Sequence, residues 1–268
     1  MSKHVEDHQV SFLSANVYQK NRSFDELLKL IYERQPDFIF LVETDNRWKT
    51  SLEPLQEHWP YSVLHPQDNS CGFLFFSKYP IEDFKVKHLV DERVPSLFAT
   101  CRIDKGSLFE FIGLHPRPPR PVEGHSHERD GELIQVANYV RKSKRNFIVA
   151  GDLNDVAWSH STRMFRRVSG LWDPRIGRGI YATFPKSLPY LRFPLDHFFH
   201  SSGFRLVRME RLGDVGSDHL PIYLRLAHVD QEGETNEISD SLKDESRRYQ
   251  QKAQEWDGPN QVITPDRV

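Results

Sequence analysis

The sequence predicts an α/β domain in which β-strands outnumber helices. The chain opens with a strand, a helix and a second strand between residues 10 and 42. Most later apolar segments are short runs of Val, Ile, Leu and Phe bounded by turn residues, which is typical of strands. The composition agrees, because 38% of the 268 residues are hydrophobic and 18 are Phe, enough for the core of one large domain.

The opening unit is defined by its periodicity. Residues 10–15 alternate as a strand does, and residues 38–42 form an apolar run of strand formers. Between them, Ser23-Phe-Asp-Glu26 is a capping-box sequence, and apolar residues follow it at helical spacing until Pro36. These signals predict a strand, a helix over residues 23–34 and a second strand.

The remaining elements follow from the same signals. Residues 104–107 separate two apolar runs and predict a β-hairpin turn. Helices are predicted at Glu132–Lys142 and Ser161–Val168. Further strands are predicted at Gly72–Phe76, Leu97–Ile103, Leu108–Leu114, Phe147–Ala150, Asp196–His200, Arg205–Met209 and Ile222–Leu226.

The composition changes after residue 228. Residues 229–268 hold 10 acidic and 5 basic residues with few apolar ones, whereas residues 1–228 hold 28 acidic and 31 basic residues. The core is therefore predicted to end near residue 228. Residues 239–256 could form a helix, but its apolar stripe is sparse. The sequence favours an acidic polar tail over residues 229–268 that is either mobile or a docking helix.

Composition also bears on location and ligands. No apolar run approaches the roughly 20 residues of a membrane-spanning helix, and the first residues lack the apolar stretch of a signal peptide, so we expect a cytoplasmic protein. Cys71 and Cys101 lie in apolar segments and are expected to be buried thiols. The slight basic excess of residues 1–228 suits a phosphate-bearing ligand, but is too weak to indicate nucleic acid by itself.

Polar residues stand where the predicted apolar strands begin or end. Each has an ordinary explanation alone, because Asn or Glu often caps a loop and a lone His is often a hydrogen-bonded core residue. Together, carboxylates converging on one sheet edge would repel one another unless a divalent cation or phosphate chemistry used them. Oxygen ligands without a Cys cluster favour Mg²⁺ or Mn²⁺. The candidates are Asn16, Glu43, His115, Asp152, Asn154, Asp196, Asp218 and His219.

The order of these residues resembles the endonuclease/exonuclease/phosphatase superfamily. That superfamily includes pancreatic-type deoxyribonucleases, abasic-site endonucleases, neutral sphingomyelinases and inositol-polyphosphate phosphatases. The sequence immediately around these motifs is most similar to the bacterial YafD-like branch of the superfamily. The resemblance implies a DNase I-like, four-layered α/β sandwich, in which two sheets are flanked by helices and the catalytic domain spans residues 8–228. The motifs that carry it are Asn16, Glu43, the strand Gly72–Pro80, His115, Gly151-Asp-Leu-Asn154, Leu195-Asp196 and Gly216-Ser-Asp-His219.

The resemblance implies a role for each oxygen-bearing residue. Glu43 would hold the Mg²⁺ or Mn²⁺ ion, with Asn16 beside it and Asp218 as a further ligand. Asp152 would align or deprotonate the attacking water. Asn154 would donate from its amide to the phosphoryl oxygen that gains charge.

The resemblance also implies roles for the two histidines. His219 would contact the scissile phosphate or transfer a proton, with Asp196 fixing its tautomer. His115 would lie on the opposite side of the phosphate. Pancreatic-type deoxyribonucleases pair this first histidine with a Glu on the strand that corresponds to residues 70–76. That stretch has no Glu here, which leaves the partner of His115 unassigned.

These roles predict a metal-dependent phosphoesterase. Within that class they favour a phosphodiesterase that uses in-line attack of water. Nucleic acid, a phospholipid headgroup and a small phosphorylated metabolite remain open as substrates, since fold does not fix specificity. A nuclease is one alternative. A non-catalytic binding module is another, disfavoured because Glu43, Asp152 and His219 are all present. The basic residues expected to contact substrate phosphate are Arg117, Arg120, Arg163 and Arg178.

Overall fold

The computed structural model describes residues 9–103, 106–118, 127–229, 233 and 235–255. The strands are β1 (Gln9–Asn16), β2 (Phe38–Val42), β3 (Tyr61–His65), β4 (Phe73–Ser77), β5 (Ile81–His88), β6 (Pro95–Ile103), β7 (Ser107–Gly113), β8 (Phe147–Asp152), β9 (Asp196–His200), β10 (Phe204–Arg211) and β11 (Ile222–His228). The helices are α1 (Phe24–Arg34), α2 (Asn46–Ser51), α3 (His127–Arg141), α4 (His160–Ser169) and α5 (Asp240–Gln254), with a 3-10 turn at Glu53–Glu57.

The strands form two sheets of six and five strands. The first has the order β10-β11-β1-β2-β4-β3, and the second has the order β5-β6-β7-β8-β9. In the first sheet β1 and β2 run parallel, and in the second β7 and β8 do, while the other neighbouring pairs are antiparallel. Each parallel pair is joined through a helix, as such connections require.

Aromatic side chains fill the space between the two sheets. Phe12 stacks on Phe38 within the first sheet, with ring centroids 5.0 Å apart. Phe75 of the first sheet stacks on Phe111 of the second at 4.6 Å. All four side chains are buried, as expected where the inner faces of a sandwich interdigitate.

Helices cover both outer faces. Leu27 and Ile31 of α1 pack with Trp48 and Trp59 on the first sheet. Helices α3 and α4 pack on the second sheet, where Phe165 meets Phe199 at 4.9 Å. The result is the four-layered α/β sandwich that the sequence predicted. The prediction of two buried free thiols at Cys71 and Cys101 is also confirmed.

Helix α5 packs against α3. Leu242 and Ala253 are buried, and Ser246 accepts a hydrogen bond of 2.9 Å from Asn138. Ala253 lies so close to Gly131 that a Cβ added there would be 2.2 Å from its methyl group. Small residues on both helices therefore allow the close approach. In the described part of the chain, no helix combines the length and apolar character needed to cross a membrane.

Three elements were not predicted from the sequence, namely β3, β5 and α2. Four successive residues of β5, Glu82–Lys85, are exposed and only Phe84 among them is apolar, so the segment lacks the alternation that marks a half-buried strand. In β3 only Val63 is buried. Helix α3 begins at His127, five residues before the predicted start at Glu132. Two of these differences lie beside polar candidates, because α2 begins three residues after Glu43 and the additional first turn of α3 carries Arg129, which donates to Asn154 O.

Candidate active site

The polar candidates meet at one end of the sandwich. Asn16 is the last residue of β1 and lies beside Val42, so Glu43 follows directly at the neighbouring strand end. In the second sheet, Asp152 at the end of β8 is paired with Asp196 at the start of β9. Both sheets therefore present carboxylates at the same end.

The amide group of Asn16 links the two sheets. Its Nδ2 donates to Glu43 Oε1 at 2.8 Å and to Asp152 Oδ2 at 3.0 Å. Its Oδ1 accepts from the backbone N–H of Tyr18 at 2.9 Å, which fixes the orientation of the amide. Asn16 thus presents donors to the two carboxylates, which both lie within hydrogen-bond reach of one nitrogen.

His219 and Asp196 form a buried pair. His219 Nδ1 lies 2.8 Å from Asp196 Oδ2. Burial alone would lower the pKa of His219, but the charges of Asp196 and Asp152 outweigh it and raise the pKa to about 10. Burial pushes the pKa of Asp196 upward, yet the adjacent His219 holds it below its ordinary value. The imidazole is therefore a cation at neutral pH, with Nδ1 donating to Asp196.

Asp152 lies between the two histidines. Its Oδ2 is 3.6 Å from His219 Nε2 and 3.9 Å from His115 Nε2. The side chain is 1% exposed, and this burial raises the pKa of Asp152 above its ordinary value despite the nearby His219 charge. A carboxylate in this environment is a stronger base than one in water.

His115 is placed differently from His219. It follows β7, and only 8% of the residue is exposed. Its Nδ1 is buried and has no hydrogen-bond partner among the described residues. Among the described residues, no carboxylate is hydrogen-bonded to Nδ1 of this ring, in agreement with the absence of a Glu from residues 70–76.

Two residues at the site have left-handed backbone conformations. Glu43 has φ of 60° and Asn154 has φ of 50°, which is uncommon for residues other than Gly. Asn154 is held by its own N–H, which donates to Asp152 Oδ1 at 2.9 Å. Its Nδ2 donates to Pro116 O at 2.9 Å, and its carbonyl accepts from Arg129 at 2.8 Å. These contacts hold the loop after β8 and fix the Asn154 amide against the backbone that follows His115.

The motif around Asp218 is tied to the same end of the sandwich. Ser217 Oγ donates to Asn16 O at 2.7 Å, and His219 N donates to Ser217 Oγ at 3.1 Å. The Asp218 side chain is half-buried, and its carbonyl accepts from Lys186 N at 2.7 Å. One serine thus connects the last motif to the first strand.

The carboxylates at this end of the sandwich fit a divalent cation. One oxygen from each of Asp152 and Asp196 and one ring nitrogen of His219 lie within 4.8 Å of one another, and of these groups the protonated ring acts as a donor while the carboxylates can act as ligands. The carboxylates of Glu43 and Asp152 share the Asn16 amide nitrogen as donor, so their bonded oxygens are less than about 6 Å apart. Carboxylate oxygens converging in this way suit Mg²⁺ or Mn²⁺.

The three described arginines among the predicted substrate-binding residues contact groups other than the proposed catalytic ones. Arg117 is ion-paired with Asp91 at 3.0 Å. Arg163 is exposed and donates to Trp158 O, while Arg178 donates to carbonyls of its own loop. Arg120 lies outside the described residues.

Sequence reasoning missed several residues that support the site. Phe184 packs its ring 4.6 Å from that of His219. Arg175 is buried between Asp173 at 2.9 Å and His197 Nδ1 at 2.7 Å. Burial and the Arg175 charge lower the pKa of His197 to about 3, so this ring is neutral. Asp173, the lone acid between residues 155 and 196, was the signal that could have revealed the Arg175 pair.

The sequence matches a known protein family, and the fold matches solved structures. A family model described as the endonuclease/exonuclease/phosphatase family matches residues 13–219. No curated protein matches the sequence. The comparisons identify the superfamily and do not distinguish a branch within it.

Solved structures share the fold at low sequence identity. D. rerio TDP2 complexed with single-strand DNA product is 18% identical, with a TM-score of 0.69 over 82% of this chain and 99% of that chain. The catalytic domain of human Nocturnin with bound sulfate is 17% identical, with a TM-score of 0.66 over 82% and 95%. An endonuclease/exonuclease/phosphatase from Bacteroides vulgatus is 14% identical, with a TM-score of 0.67 over 82% and 99%.

Proposed function

The chain belongs to the endonuclease/exonuclease/phosphatase family, and we propose that it is a divalent-metal-dependent phosphodiesterase that hydrolyses its substrate by in-line attack of water. Members of the family are hydrolases of phosphoester bonds. One observation carries the proposal. A buried carboxylate, Asp152, lies within 4 Å of two imidazoles and is hydrogen-bonded to the amide that also holds Glu43.

Glu43 is the proposed ligand of the cation, with Asp218 as a further oxygen donor. The Asn16 amide positions the carboxylates of Glu43 and Asp152 by donating to both, so its contribution is made through them. When bound, Mg²⁺ or Mn²⁺ would supply Lewis-acid stabilisation of charge on the phosphoryl oxygens.

Asp152 is the proposed general base. Its raised pKa strengthens it as a proton acceptor, and the N–H of Asn154 holds one of its oxygens in place. The other oxygen faces the space between the histidines and accepts the proton of the attacking water. No covalent intermediate with the protein is needed.

The remaining groups act as donors to the reacting phosphate. His219, protonated at neutral pH, donates from Nε2 to a phosphoryl oxygen or to the leaving oxygen. One N–H of the Asn154 amide goes to Pro116 O, and the second is free for a phosphoryl oxygen. His115 donates from the opposite side. The His219 ring and the Asn154 amide are held by hydrogen bonds before the substrate arrives, which favours the transition state.

A nuclease is the alternative within the same chemistry. TDP2 from D. rerio has been crystallised with single-strand DNA product, which makes a DNA strand a candidate substrate here too. The charge of residues 1–228 argues against tight binding of a duplex, because 31 basic against 28 acidic residues give no broad basic stripe. We expect small or lipid-linked phosphodiesters to be hydrolysed better than plasmid DNA.

The test is hydrolysis of bis-p-nitrophenyl phosphate, sphingomyelin, inositol phosphates and DNA with added Mg²⁺ or Mn²⁺. Asp152→Asn should lower kcat by on the order of 10³ or more on whichever substrate is cleaved. Asp83→Asn, on the exposed face of β5, is the matched control and should retain activity. Activity of a folded Asp152→Asn variant near that of the wild type would overturn the assignment of the base.

A further inference from the structure

A short hairpin beside the proposed active site presents apolar side chains to solvent. Thr183 and Phe184 are hydrogen-bonded to Phe193, which closes residues 183–193 into a hairpin. Residues 187–191 at its end, Ser-Leu-Pro-Tyr-Leu, are all exposed. We refer to Leu188, Tyr190 and Leu191 as the apolar tip.

The three side chains of the apolar tip are largely exposed to solvent. Tyr190 is 98% exposed, Leu191 64% and Leu188 50%. The tip is nevertheless ordered by backbone hydrogen bonds from Leu188 N to Pro185 O and from Leu191 N to Leu188 O. Three large apolar side chains held in a defined turn mark a contact surface.

We propose that the apolar tip inserts into the interface of a phospholipid bilayer that contains anionic lipid. The tip is a five-residue turn, whereas a stable protein interface needs roughly 20–30 residues on each side. Two leucines and a tyrosine are suited to the boundary between headgroups and acyl chains. Leucine offers no ring on which a base could stack, so the tip is less suited to a nucleic-acid strand.

The charge around the tip agrees with an anionic lipid surface. Residues 176–193 contain Arg178, Lys186 and Arg192 and no acidic residue. Lys186 is paired with Asp214 at 2.8 Å, and Arg192 donates to Lys186 O, whereas Arg178 is exposed and keeps its positive charge at the surface. Basic residues next to an apolar insertion attract a protein to anionic leaflets and lose this effect as salt rises.

The hairpin also connects the bilayer to the reacting groups. At its base, Phe184 packs on His219 and Lys186 N donates to Asp218 O. Tyr190 is six positions after Phe184 in the sequence, so the two Cα atoms lie at most about 20 Å apart. Insertion of the tip would therefore hold the site next to lipid headgroups. This part of the inference rests on the proposed phosphodiesterase activity and indicates a headgroup phosphodiester as the substrate.

Co-sedimentation of the full chain with vesicles tests the insertion without requiring catalysis. The vesicles are phosphatidylcholine alone or phosphatidylcholine with about 30% phosphatidylglycerol. We expect binding to the anionic vesicles that falls at least tenfold in the variant Leu188→Ser/Tyr190→Ser/Leu191→Ser. The matched control is Phe84→Ser/Leu108→Ser/Val207→Ser, which removes three half-exposed apolar side chains from β5, β7 and β10 and should bind as the wild type does.

The outcomes separate this inference from the proposed function. Hydrolysis of soluble bis-p-nitrophenyl phosphate reports the active site alone and should be equal in the wild type and the tip variant. Wild-type protein that stays in the supernatant, or a tip variant that binds as well as the wild type, would overturn the insertion. Loss of single-strand DNA binding in the tip variant, without vesicle binding by the wild type, would assign the tip to nucleic acid instead.

Discussion

The two histidines at the site differ in how their rings are held. His219 donates from Nδ1 to a buried carboxylate, and its pKa is raised to about 10. His115 is equally buried, but its Nδ1 has no partner among the described residues. Both present Nε2 to the same oxygen of Asp152, at 3.6 and 3.9 Å.

Position and charge are therefore set separately at the site. The two sheets place both rings around Asp152, whereas the hydrogen bond to Asp196 fixes the proton on His219 Nδ1, and the charges of Asp196 and Asp152 keep that ring cationic. A ring with a fixed tautomer and a positive charge stabilises developing negative charge more strongly than a ring without a partner. We therefore expect His219 to contribute more to turnover than His115.

Replacement of His219 should have the largest effect. His219→Ala removes the charged donor and should lower kcat by on the order of 10³, while KM changes less. Steady-state kinetics on the substrate found by the screen measure both constants. A loss below tenfold in a folded variant would show that the two histidines are not differentiated as the structure indicates.

Asp196→Asn should have the second largest effect, because it leaves the ring in place but removes the group that fixes its proton. We expect kcat to fall by on the order of 10². Asp196→Asn combined with His219→Ala should cost little more than His219→Ala alone, since the two act as a unit. Additive losses in this cycle would mean that Asp196 acts independently of the ring.

His115→Ala should have a smaller effect, on the order of 10-fold in kcat. The reason is that no described partner fixes its proton. His115→Gln supplies a donor of similar reach and should recover part of the loss. An effect of His115→Ala as large as that of His219→Ala would place a missing partner of His115 in the substrate itself.

The smallest expected effect is on stability. The folded-state pKa of His219 is raised above the unfolded value of about 6.5, so the imidazolium stabilises the fold fully below pH 6.5 and loses this contribution as the pH rises through about 10. In chelator, the unfolding free energy of the wild type should therefore fall relative to His219→Asn between pH 6 and pH 10, by on the order of 1 kcal/mol or more. Asp196→Asn should reduce this pH dependence.

Much of the fold and the placement of the candidates could be predicted from the sequence. Asn16, Glu43 and Asp152 follow apolar runs, and parallel strands direct such ends to one edge of a sheet. The chemical roles remain predictions. What could not be predicted depends on contacts between distant segments. The packing of Phe184 on His219 and the burial of Arg175 beside His197 join residues more than 20 positions apart and leave no periodic signal.

Helix α5 illustrates the same limit of pattern reasoning. Its apolar stripe is sparse, and the sequence favoured a mobile tail or a docking segment. In the structure it packs through Leu242, Ser246 and Ala253, of which only the first is a large apolar residue. Hydrophobic periodicity does not report contacts between small residues, because the close approach of Ala253 to Gly131 depends on the absence of side-chain volume.

The position of β11 beside β1 has a consequence for how the protein matures during synthesis. Gln9 pairs with Ala227 and Ser14 with Ile222, so β1 lies against a strand more than 200 positions later in the sequence. The first sheet cannot be completed before β11 has been synthesised, and Asn16 cannot accept its hydrogen bond from Ser217 before then. Pairing at such sequence separation must close a long loop before it gains contacts, which slows folding. We therefore expect the first sheet and the candidate site to be completed together, late in folding.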